Sequence, residues 1–126
     1  QGASHCLQVI QSDFSSIPVE SRDVLLDTLD RAYPLFSDPL ACFIASEIVG
    51  EYLVDNARAL PIIKRWVSLT GPHRAYAIFG LGLIARHSEN PAIKVEARTL
   101  LGSFLHDEND DVRVEAAAGL ARLSAG

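Results

Sequence analysis

The chain has 126 residues, 48% apolar and 21% charged, with a net charge of −5. That describes one folded domain, long enough to bury a core without cross-links. No window approaches the roughly 18 uncharged apolar residues of a membrane span, and overall acidity argues against nucleic acid, whose binders neutralise phosphates with Lys and Arg.

In chain order, a short amphipathic piece is expected at 4–10, followed by six helices. Their expected limits are 18–33, 39–56, 60–70, 72–88, 91–106 and 110–124. Pro favours the first helical position, with a small polar residue or Gly before it. Pro18 is expected to open the first helix. The junctions Asp38-Pro39, Leu60-Pro61, Gly71-Pro72 and Asn90-Pro91 open the next four. Asn109-Asp110-Asp111 opens the last, with acids where the helix dipole favours negative charge.

Apolar spacing supports the same division. Leu25, Leu26, Leu29 and Tyr33 mark one face of the first helix. Ile93, Ala97, Leu100, Leu101 and Phe104 mark a face of the fifth, and Val112, Ala116, Gly119, Leu120 and Leu123 a face of the sixth. Residues 75–85 are apolar all round, so that helix should be enclosed by neighbours. No segment alternates as a strand would. The expected class is all-α, in a single domain over residues 1–126.

An internal repeat links the later helices. His73–Leu81 (HRAYAIFGL) aligns with Val112–Leu120 (VRVEAAAGL) at an offset of 39, with Arg, Ala, Gly and Leu in common. Ala45, Ile48 and Val49 supply an earlier copy at an offset of 32. A two-helix unit of that period suits an αα-hairpin solenoid. Leu105, Asp107, Asp110, Val112, Arg113, Ala116, Ala117 and Leu120 resemble the second helix of a HEAT repeat, a family also described as armadillo-like. The likeness covers 91–124 most fully, 60–88 less and 18–56 least. In the middle unit Pro72-His73 stands where the pattern has Asp-Val before its Arg. The resemblance implies a short right-handed α-solenoid of about three antiparallel helix pairs that binds other proteins without catalysing a reaction.

Charge is unevenly spread. Residues 1–55 carry nine acids and two bases, and 89–126 seven acids and four bases. Residues 56–88 carry Arg58, Lys64, Arg65, Arg74 and Arg86 with no acid. This basic band could hold an anionic partner or be neutralised by its own neighbours. With Ile62, Ile63, Trp66 and Val67 facing inward, Arg58, Lys64, Arg65 and Ser68 face outward. A partly buried Trp66 beside three bases is then a candidate partner surface, since Trp and Arg concentrate interface energy. The acids Asp107, Glu108, Asp110 and Asp111 form a second candidate.

Arg74 and Arg113 are expected to reach a carboxylate or turn carbonyl in an adjacent unit, with Asp107 and Asp111 as partners for Arg113. Ala77, Gly80, Ala116, Ala117, Ala118 and Gly119 are small so that helix axes can approach to roughly 8–10 Å. His5, His73, His87 and His106 form no metal-ligand spacing, and His5 beside Cys6 is the one adjacent N/S pair. Cys6 and Cys42 make no disulfide framework and are expected as reduced, buried thiols in a cytoplasmic protein. No nucleophile elbow or phosphate loop is present. No catalytic residue, cofactor or metal is therefore expected.

Two alternatives to a general protein-binding module stay open. One is a small immunity- or antitoxin-type inhibitor, whose acids Asp23, Asp27, Asp30 and 107–111 would mask a basic toxin or nuclease through salt-sensitive association. The other is an enzyme subunit, because HEAT-like folds resemble bilin-lyase subunits and alkylated-base DNA glycosylases. The chain supplies no candidate residues for the first chemistry and too few bases for the second.

Overall fold

In the computed structural model, which describes residues 2–125, every regular element is helical. The α-helices are α1 (Gly2–Ser12), α2 (Arg22–Ala32), α3 (Pro39–Glu47), α4 (Ala59–Trp66), α5 (Pro72–His87), α6 (Pro91–Ser103) and α7 (Asp110–Ala125). Single 3-10 turns occupy Phe14–Ser16, Val19–Ser21, Tyr33–Leu35 and Phe104–His106. The class is all-α, as the apolar spacing predicts.

Local chemistry explains most of the helix starts. The Asp38 side chain accepts a hydrogen bond from the Leu40 amide, and Asn90 accepts from Ala92 and Ile93. Asn109 does the same for Val112. Gly71 precedes Pro72 with φ of 76°, a left-handed conformation that costs glycine little. The 4–10 piece is a full helix of 11 residues.

Other limits differ from expectation. Pro18 leads into a 3-10 turn, and α2 begins only at Arg22. Helix α4 starts two residues before Pro61, at Ala59, and stops at Trp66. Helix α3 does not run on to residue 56. After Glu47 it widens into a π-helical turn, Ile48–Tyr52, closed by a bond from the Leu53 amide to the Ile48 carbonyl at 2.9 Å. Gly50 in this turn abuts the backbone of Gly80.

Helix α5 is the centre of the molecule. It packs against α3, the π-helical turn, α4, α6 and α7, while α1 covers α3 and α6 packs on α7. Its all-round apolar surface is thereby used, with Ala75, Ala77, Ile78, Leu81 and Ile84 all buried. Glycines set the distances. A methyl group at Gly50 would lie 2.5 Å from the Gly80 carbonyl oxygen, and one at Gly80 2.9 Å from the Ser46 carbonyl oxygen. A methyl at Gly82 would touch the Gly119 Cα at 3.5 Å, which is ordinary contact.

The two cysteines part company. Cys42 is buried, and burial pushes its thiol up to about 11. Cys6 is exposed, contrary to the expectation of two buried thiols, because it lies on the outer side of α1 while Ser4 and Leu7 are buried.

Gly50→Ala should destabilise the protein by about 1–3 kcal/mol through overpacking against a backbone atom. Gly102→Ala, with open space around the new methyl, should instead stabilise by roughly 0.5 kcal/mol or more through helix propensity. Urea unfolding of both variants checks the contrast, and equal effects would disprove the crossing constraint.

Candidate binding surfaces

The basic band on α4 meets the acids of α2. Arg58 pairs with Asp27 and lies 3.8 Å from Asp23, and Arg65 pairs with Asp30. Asn56 donates to Asp23 at 2.9 Å. On the other side Lys64 bridges to Glu96 of α6 at 2.7 Å. Of the two readings of the band, self-neutralisation describes these three side chains. The α2 acids Asp23, Asp27 and Asp30 are engaged in the same contacts, so neither group presents a free field to a charged partner.

Trp66 is 1% exposed, which corrects the expectation of a partly exposed aromatic. Its ring stacks on Tyr33 with centroids 3.9 Å apart, and its indole N–H donates to Asp30 at 3.1 Å. The Tyr33 hydroxyl donates to the His73 carbonyl at 2.6 Å, and the His73 ring bonds the Phe36 carbonyl at 2.6 Å. Burial pushes the Tyr33 phenol well above its usual range. This cluster joins α2, α4 and α5. Tight packing on Tyr33 takes Trp66 out of reach of a partner.

The second acidic candidate divides in two. Asp107 is 15% exposed and accepts both arms of Arg74, one of them at 2.8 Å. Arg113 pairs with Asp110 and donates to the Asp107 carbonyl at 2.6 Å. The expected Arg113 partners, the Asp107 and Asp111 carboxylates, are therefore replaced. Asp110 lies three residues away on the same helix face, whereas Asp111, two residues away, does not. Glu108 and Asp111 remain exposed at the surface.

Arg74 and Arg113 share one further geometry. Arg74 donates to the Val67 carbonyl seven residues upstream, and Arg113 to the Asp107 carbonyl six upstream. Each guanidinium thus ties its helix start to the preceding turn. Arg74 gains its carboxylate from the later helix pair, although its own turn carries Pro72-His73.

A surface not foreseen from the sequence lies between α4 and α6. Two depressions of about 430 and 320 Å³ meet at the Lys64–Glu96 bridge. Ala57, Leu60, Pro61 and Ile93 line one, and Thr99, Leu100 and Ser103 the other, with Lys64 and Glu96 common to both. Ile93 and Leu100 belong to the apolar face of α6, yet both are only half-buried because α4 stops short of covering them.

Among the described residues no group of three or more His, Cys, Asp or Glu side chains could hold a metal ion, and no helix is long and apolar enough to cross a membrane. His5 and Cys6 are both exposed on α1. Comparison with protein families, curated proteins and solved structures finds no match for the chain.

The hydrogen bonds from Arg74, then that from the Asn109 amide, hold the Asp107 carboxyl down to about 2 from an ordinary 3.8. A depressed carboxylate stabilises the fold above its unfolded value and loses that contribution as pH falls toward the folded one. Asp107→Asn should therefore melt below the wild type near neutral pH, with the gap closing between 3.8 and about 2. Thermal melts across that range test this; a constant gap would assign the loss to packing instead.

Proposed function

We propose that the chain is a non-enzymatic protein-interaction module built as a short HEAT-like α-solenoid. The observation that carries this reading is the apolar groove between α4 and α6. Its walls are Leu60, Pro61, Ile93 and Leu100, and its only charged groups neutralise each other across the middle. Such a groove suits an apolar segment of another protein, whose anchors would lie on either side of the Lys64–Glu96 bridge.

The solenoid reading draws on two features. Helices α3, α5 and α7 pack in series, with α4 and α6 on the same side of that row. The sequence offset between α5 and α7 also coincides with a recurring Arg-to-turn bond at Arg74 and Arg113. Repeated helix pairs of this kind present continuous surfaces, which favour protein partners over small substrates.

Lys64 and Arg65 are poor positions for testing this, because Glu at either would face Glu96 or Asp30 and disturb the fold. Thr99 is exposed and lines the groove. Thr99→Trp should fill it and weaken partner binding by about tenfold or more, while Val114→Trp, on the exposed side of α7, should not. Quantitative affinity capture with wild type and both variants decides the matter. Partner recovery that ignores Thr99→Trp, or no partner with any bait, counts against the proposal.

A further inference from the structure

Four cations converge where α5, α6 and α7 come together. Arg86 in the last turn of α5, Lys94 and Arg98 on α6, and Arg122 in the last turn of α7 line a depression of about 120 Å³. Ala85 and Leu123 complete the lining, and no carboxylate takes part. The depression shares no residue with the α4–α6 groove.

Among the described residues, the arrangement differs from that of the other cations from residue 58 onward, while Arg22 and Arg31 of α2 likewise form no ion pair. Arg58, Lys64, Arg65, Arg74 and Arg113 each carry a carboxylate partner. Among the described residues, Arg86, Lys94, Arg98 and Arg122 form no ion pair. Glu115 of α7 feels the charge of Arg122 but does not line the depression.

Folding alone accounts for two of the four. Arg86 and Arg122 sit at helix C-termini, where the dipole favours cations. Arg122 also lies over the Phe79 ring at 5.5 Å, which fixes its guanidinium. Lys94 and Arg98 have no such reason. Lys94 stands in the opening turn of α6, where the dipole opposes a cation, and Arg98 four residues on makes a like-charge pair with it. Cations gathered against their own repulsion, in a chain of net charge −5, point to an anion between them.

We propose that this depression binds a single phosphate group, as a phosphomonoester dianion or inorganic phosphate. Three guanidinium groups offer paired N–H donors that match two phosphate oxygens each, and Lys94 adds a point charge. The volume of about 120 Å³ falls below the roughly 300–1,000 Å³ of small-molecule sites, so it takes one oxyanion and leaves a nucleoside outside. The acidic remainder of the surface repels a long polyanion, which a single group avoids.

Calorimetric titration at fixed ionic strength tests this, with inorganic phosphate, a phosphoserine peptide, its unphosphorylated form and a single-stranded oligonucleotide as probes. Saturable one-to-one binding of phosphate is expected, with the phosphopeptide binding and its unphosphorylated form silent. Tighter binding of the phosphopeptide would assign the site to a phosphorylated side chain, and the reverse to the free ion; either supports the proposal. Lys94→Gln with Arg98→Gln should weaken binding by about tenfold or more. The same pair should leave the melting temperature unchanged or raised, because it removes repulsion. Absence of saturable binding overturns the proposal. So does equal affinity in the double variant, or preferential oligonucleotide binding that the double variant abolishes.

Discussion

The close approach of α5 to its neighbours is the constraint on which the rest of the structure depends. Gly80 meets Ser46 and Gly50 on one side, while Gly82 meets Gly119 on the other. Two residues along a helix turn by about 200°, so these glycines face nearly opposite ways. A single Gly-Leu-Gly therefore admits one backbone on each side of α5. Leu81 between them is fully buried and fills the space toward a third direction. The π-helical turn after α3 brings Gly50 onto the Gly80 carbonyl at the same crossing.

Ion pairs then fix the outer helices around this core. Arg58 and Arg65 join α4 to α2, Lys64 joins α4 to α6, and Arg74 joins α5 to the turn before α7. Pairs as exposed as Lys64–Glu96 contribute little stability, so they set register more than they hold the fold together. The better-covered Arg74–Asp107 pair differs, since two parallel bonds and a third, to the Val67 carbonyl, constrain its geometry.

Helix class and most helix starts were legible in the sequence because they depend on local chemistry. Asn90 and Asn109 cap as their side chains predict, and Gly71 takes the backbone angle its position requires. Arg74 and Arg113, aligned in the sequence, each donate to a carbonyl of the preceding turn, although their carboxylate partners differ. What failed depended on distance in three dimensions. Trp66 appeared available because its basic neighbours in sequence face outward, but Tyr33, far along the chain, covers its ring. The sequence left the basic band either open or self-neutralised, because the partners that decide it lie on α2 and α6. The cationic depression is not legible in the sequence because its four members are scattered over three helices, two of which belong to a stretch with excess acid.

The two sides of α5 are built by different means, and this bears on function. Toward α3 the backbones come close enough to require glycine, and toward α7 they meet at ordinary van der Waals spacing. Toward α4 and α6 the surface is bridged by one exposed ion pair with apolar hollows on either side. An incoming apolar segment would displace water from Ile93 and Leu100 without breaking a packed interface. Binding at this groove would draw on hydrophobic burial that folding left unused. At the far edge of α6, Lys94 and Arg98 retain electrostatic energy that folding likewise left unused. One helix thus carries both unsatisfied surfaces because it lies at the margin of the layer α5 can cover.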